Sequence, residues 1–179
     1  MKCLEWESYR PEFENPYPGQ PPLQITDFHY ETPLHLCRCT KALELNAGAE
    51  ADYVVSQPYT VLFKLGGVDH GITVPDGMLT DLSSVPWFAR WFIGRVGPHL
   101  EASIVHDFLY IAWQDLQGYG AQEPDRKFAD RVFRAGMKEA GVSSWKRWIV
   151  YHAVRLLGKG AYEQPNDLRY VKDRSVEDQ

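Results

Sequence analysis

The sequence predicts an α+β fold: an N-terminal antiparallel β-sheet region followed by a C-terminal bundle of about three helices. Three observations carry that reading. Residues 23–75 collect β-branched and aromatic side chains in short runs between glycine and proline turns. Residues 87–158 space their apolar side chains at intervals of three and four. The strand-like runs all precede the helix-like ones, the order that segregates sheet from helices.

The elements follow in chain order. Residues 1–22 hold Pro11, Pro16, Pro18, Pro21 and Pro22 interleaved with Trp6, Tyr9, Phe13 and Tyr17. Prolines at that density forbid helix and favour extended backbone, so this stretch reads as an arm. It wraps its own domain or docks on a neighbouring subunit, and termini are more often simply tied down. Strands are expected at 23–28, 34–37, 53–55, 59–63 and 72–74, with Gly66-Gly67 as a hairpin turn and Pro75-Asp76-Gly77 as a second turn. Residues 79–86 leave the sheet; Thr80, Asp81, Ser83 and Ser84 are short hydrogen-bonding side chains that shape such turns. An aromatic helical link at 87–93 ends at Gly94 and Gly97-Pro98. A buried helix over 100–115 comes next, then a loop with Gly118, Gly120 and Pro124. A second helix spans 125–140, with Ala129, Val132, Phe133, Gly136, Met137 and Ala140 as its apolar stripe. Gly141 ends it, and Ser143 or Ser144 caps a third helix to about Leu157. Trp145, Trp148, Ile149, His152 and Leu156 share one face of that helix and read as core. Gly158 and Gly160 stop it, and residues 166–179 read as a charged tail. The domain proper is thus 23–165, a single unit, as the 179-residue length suggests.

Composition excludes several classes. The net charge of −5 argues against a nucleic-acid partner, although a local basic patch is compatible with it. No run approaches the roughly 18 apolar residues of a membrane span. The N-terminus lacks the apolar core of a secretory signal, which predicts synthesis in the cytoplasm without secretion. Cys3, Cys37 and Cys39 are odd in number and lack C-x-x-C spacing, so they form neither a disulfide framework nor a zinc site.

The chemistry concentrates in the 100–115 helix, which places His106-Asp107 inside an apolar run. Neighbours on a helix point about 100° apart, so the two must face different partners. Helices joined by a short loop pack antiparallel, which brings Asp130 of the second helix towards His106. A carboxylate on one imidazole nitrogen fixes the tautomer and leaves the other free as a base. Asp107 then takes a metal or a basic side chain, Arg126 or Arg155 being candidates, and Asp81 is a further candidate for the same pocket. A purely structural buried network produces the same pattern.

The order V-P-D-G-M-L-T-D-L-S-S-V-P, H-D-F-L-Y, R-K-F-A-D-R-V-F-R-A-G-M and A-V-R-L-L-G-K-G-A-Y, over roughly residues 68–162, resembles a family of unknown function found in tailed-phage and prophage genomes. That resemblance implies a phage protein. The H-D-x-L-Y helix followed by Asp130 and Phe133 is also similar to the core of phospholipase A-two enzymes, closest to their prokaryotic branch. This second resemblance implies His106 as general base, Asp130 as its orienting carboxylate, Tyr110 as an added hydrogen bond and Asp107 as a calcium ligand. The family's glycine-rich calcium loop has no clear counterpart, and no cysteine lies beyond Cys39 to form its inter-helix disulfides.

Two readings of different class follow. In the first, the chain is a virion, tail or assembly component of a tailed phage, located in the virion or in the host cytoplasm before assembly. Its partners are other virion or assembly proteins met through the N-terminal arm, and a homo-oligomer is compatible with it. In the second, it is a calcium- or other metal-assisted hydrolase of lipid or cell-envelope esters, with His106, Asp130 and Tyr110 catalytic and Asp107 and Asp81 on the metal.

Overall fold

Strand-forming and helix-forming residues segregate as the sequence predicts. The computed structural model describes residues 6–19, 24–38, 53–80, 99–165 and 169–173. Asp81, the aromatic link at 87–93 and the Gly94–Gly97 segment lie outside the described residues.

Among the described residues there are eight strands: β1 Trp6–Ser8, β2 Ile25–Tyr30, β3 Leu36–Arg38, β4 Tyr53–Val55, β5 Tyr59–Leu65, β6 Val68–Val74, β7 Leu79–Thr80 and β8 Val171–Asp173. They pair antiparallel in three small sheets, β2-β5-β6, β3-β4-β7 and β1-β8. The β5–β6 hairpin turns on Gly66 and Gly67, at φ 61° and 89°, a pair of left-handed positions that only glycine adopts without cost. Along β5 burial alternates: Tyr59, Val61, Phe63 and Leu65 enter the core and the residues between them face outward.

Four helices follow among the described residues: α1 Leu100–Ile111, α2 Glu123–Glu139, α3 Ser144–Leu157 and a short α4 Lys159–Glu163. The helix expected over 100–115 tightens to a 3-10 turn at Ala112–Asp115. α1 is apolar nearly all round and buried accordingly; Ile104, Val105, Phe108 and Leu109 are each at most 1% exposed. Burying such side chains stabilises the fold by about 1.5–3 kcal/mol apiece. They join the inward face of β5 in one core with Phe128, Ala129 and Val132 of α2. A second cluster, Ala102, Phe133, Met137, Val142, Val150 and Val154, seats α3 on the α1–α2 pair.

Four expectations change, beginning with Leu79 and Thr80, which stay in the sheet as β7 beside β4. Trp145, Trp148, His152 and Leu156 are exposed, and α3 instead buries Val150, Ala153 and Val154. Gly158 caps α3 at Leu157 as expected, but Gly160, also expected as a stop, lies inside the short helix α4. Part of the stretch read as a tail, β8, pairs with β1 of the arm. Within the arm, Phe13 sits edge-on to Phe108 at 5.1 Å, and the Tyr17 hydroxyl donates to the Leu109 carbonyl at 2.6 Å. Residues 6–19 therefore lie over their own domain.

Candidate functional site

The order of contacts fixes how α1 meets α2. An added Cβ on Gly136 would lie 2.8 Å from Ala102, the His106 ring lies 4.8 Å from Phe133, and Tyr110 bonds Asp130. As one number rises the other falls, so the helices are antiparallel, and their apolar stripes bring His106 and Asp130 face to face.

Asp130 is fully buried, and both of its oxygens are engaged. His106 Nε2 lies 2.9 Å from Oδ1, and the Tyr110 hydroxyl donates to the same oxygen at 2.7 Å. Arg155 Nη1 donates to Oδ2 at 2.8 Å, and Arg126 Nη1 stands 4.0 Å from it. Glu123, one helical turn before Arg126, accepts from Arg126 Nε at 2.8 Å and also pairs with Arg155. Arg126 Nη1 additionally donates to the Arg155 carbonyl at 3.1 Å, at the end of α3. The cluster thus joins α1, α2 and α3 through one carboxylate.

Electrostatics follow from burial and partners. Burial pushes the Asp130 carboxyl up, but the hydrogen bonds from His106, Arg155 and Tyr110 outweigh it and hold the group below the usual carboxylate range. An ionised carboxylate only accepts, so His106 Nε2 carries the proton in this bond. The Tyr110 hydroxyl is pushed well above its ordinary value, first by burial and then by the Asp130 charge. Hydrogen bonds from Arg126 and then Arg155 keep Glu123 low.

The other nitrogen, His106 Nδ1, is 4.0 Å from Asp107 Oδ1, beyond hydrogen-bond reach. Asp107 faces away from the clasp, and Thr80 Oγ1 donates to its Oδ2 at 3.3 Å. The suggestion that Arg126 or Arg155 pairs with Asp107 is therefore corrected: Arg155 bonds Asp130 and Arg126 bonds Glu123, because Asp107 points off another side of α1. Asp81 lies outside the described residues. Ca²⁺ takes roughly six to eight oxygen ligands. The described residues around Asp107 show one carboxylate and one hydroxyl, and no group of three or more His, Cys, Asp or Glu among the described residues is placed to hold a metal. The described residues alone do not complete a calcium site at Asp107, and no step is derived through one.

Arg126, Arg155 and Glu123 complete the cluster. One sequence signal was readable: Glu123, Arg126 and Asp130 recur at helical spacing on one face of α2. No helix of the described residues is long and apolar enough to cross a membrane.

Comparison with known proteins places this cluster inside a family without assigned activity. No curated protein and no solved structure is significantly similar to the chain. Residues 53–154, more than half of the chain and the stretch that carries His106, Tyr110 and Asp130, match the family described as "Protein of unknown function (DUF1353)", and the chain belongs to that family.

Proposed function

We propose that the chain is a structural component of a tailed-phage virion, its tail or its assembly, in which the His106–Asp130 clasp locks three helices together. The observation that carries this reading is the complete internal satisfaction of Asp130, at 0% exposure, by His106, Tyr110 and Arg155. A carboxylate so surrounded suits a support better than an exchange of ligands. The motif order over roughly residues 68–162, which resembles phage-encoded proteins, supports the setting. The partners in this reading are other virion or assembly proteins, or further copies of the chain. The arm turns Phe13 and Tyr17 inward, so a neighbour would meet its outer residues, Arg10, Glu12 and Glu14. The protein would reside in the virion, and in the host cytoplasm before assembly. Quantitative mass spectrometry of virions purified from a phage or induced prophage that encodes the chain tests this: a fixed copy number is expected, and absence from intact virions overturns it.

One geometric feature favours a second reading, a hydrolase of lipid or cell-envelope esters. With Nε2 bound to Asp130 and Tyr110 on the same oxygen, Nδ1 is the nitrogen available to take a proton from water. This reading predicts ester hydrolysis by the purified chain that disappears in His106→Gln. Hydrolysis at an unchanged rate in that variant removes it.

A further inference from the structure

The net charge of −5 averages over a chain whose cations are not evenly placed. Residues 143–162 contain Lys146, Arg147, Arg155 and Lys159 and no acidic residue. On α2, Lys127, Arg131, Arg134 and Lys138 recur at intervals of four, three and four, which lines them up along one face. Three of these four, with Arg147 and Tyr151 of α3, line a cleft of about 870 Å³ whose opposite wall is β2. That wall bulges at Asp27, a left-handed non-glycine residue at φ 51°. Two carboxylates, Asp27 and Glu139, also reach the cleft, and Asp27 lies 3.4 Å from Lys64. Arg134 and Lys138 have no carboxylate within ion-pair distance among the described residues.

The cations continue into a chain of aromatic rings. The Arg134 guanidinium lies 5.2 Å from the Tyr151 ring centre. Tyr151 meets His152 at 5.4 Å, and His152 meets Trp148 at 4.4 Å. Trp148 is 58% exposed and Trp145, with the Lys146 ammonium 5.6 Å from its ring, is 56% exposed. Tryptophans at helical spacing are ordinarily core; these two are not, so burial does not explain them. Guanidinium groups in a groove beside solvent-facing rings are the chemistry that holds a strand of phosphates with unstacked bases. A flat bilayer meets exposed Trp148 but does not match the concave shape of the cleft that Arg131, Arg134, Lys138 and Arg147 line.

We propose that this surface binds single-stranded nucleic acid, with phosphates along Arg131, Arg134, Lys138 and Arg147 and bases stacked on Trp148 and Trp145. The inference rests on no part of the proposed function and survives or fails without it. The test uses the full chain with a fluorescently labelled single-stranded oligonucleotide of about 20 nucleotides, long enough to span a site of this kind. Anisotropy is followed across a salt series, in DNA and RNA versions. Binding that weakens linearly on a log–log salt plot is expected. In Arg134→Ala/Lys138→Ala the slope should fall by about 1.4, two contacts at about 0.7 each. Trp148→Ala should weaken binding about tenfold at unchanged slope, with partial rescue by Trp148→Phe. Arg10→Ala/Lys172→Ala removes the same charge elsewhere and should leave the slope unchanged. All the replaced side chains are exposed, and matched melting curves confirm that each variant folds; should one unfold, the others decide. Absence of binding at low salt overturns the proposal, as does binding that neither cleft nor tryptophan variant alters. Binding to phosphatidylglycerol vesicles through these residues without oligonucleotide binding also overturns it and makes the surface a lipid contact.

Discussion

At the scale of single residues, Asp130 is where the most stability depends on one group. Asp130→Ala leaves the Arg155 guanidinium and the His106 ring facing each other without their shared acceptor. Breaking a buried pair from one side typically costs about 3–5 kcal/mol, and urea unfolding at neutral pH should show a loss of that size. A loss below about 1 kcal/mol would mean that the cluster does not lock the helices. The same carboxylate sets an acid limit. Its folded pKa is depressed, so its contribution is present above the unfolded value of about 3.9 and is lost as pH falls through the folded value. Stability should therefore fall on acidification below about pH 4, and Asp130→Asn should flatten that part of the curve. Asp125 acts with the opposite sign, since burial raises its pKa despite the Tyr119 hydrogen bond, and protonating it relieves a cost. A difference in urea midpoint between the parent and Asp130→Asn that stays constant from pH 5 to pH 3 would refute the assignment. His106 and Asp130 were readable in the sequence because each sits on an apolar stripe of known period, and two stripes must face each other. The destination of Arg155 was not, because it depends on how far α3 is rotated against the pair, which no local pattern encodes.

At the scale of elements, α3 shows where periodicity stops deciding. Its apolar residues run around the whole helix, and the largest of them, Trp145, Trp148 and Leu156, mark one face as core. The helix buries the smaller face instead, Val150, Ala153 and Val154, against Phe133 and Met137. The α1–α2 pair offers α3 a shallow seat, and small side chains let it approach closely enough for Arg155 to reach Asp130. Such close approach recurs at Gly136. An added Cβ there would stand 2.8 Å from the Ala102 Cβ and 3.0 Å from the Tyr30 hydroxyl, which itself donates to the Gly136 carbonyl at 2.9 Å. α1, α2 and β2 meet at that point, and none is a flexible side-chain end except the tyrosine. Alanine favours helix, so on an open surface Gly136→Ala would stabilise by roughly 0.5–1 kcal/mol. Here overpacking should win, with a net loss of about 1–3 kcal/mol. Thermal unfolding of Gly136→Ala decides between the two, since propensity raises the midpoint and crowding lowers it.

At the scale of the whole molecule, the chain is closed by segments far apart in sequence. The arm returns over the core, and β1 pairs with β8 near the other end of the chain. Tyr9 approaches Tyr170 at 6.3 Å, Phe13 covers Phe108, and Tyr17 stacks on Tyr119 at 5.9 Å while bonding Leu109. The proline-aromatic composition made an extended arm legible, but its pairing partner was not. Residues 171–173 are only three in number within a charged stretch, too short for a period to emerge. Because the arm and β8 complete the same ladder, each is incomplete without the other. Removing residues 1–19 uncovers three aromatic side chains' worth of core surface, at about 2 kcal/mol per ring; removing residues 169–179 takes Tyr170 and the strand that the arm pairs with. Each deletion alone should lower the stability measured in urea. The double deletion should cost less than the sum of the two, because the second loses contacts that the first has already removed. A strictly additive result would mean that the arm and β8 are anchored independently, each by its own contacts with the helices, and that the β1–β8 ladder contributes nothing to closing the molecule.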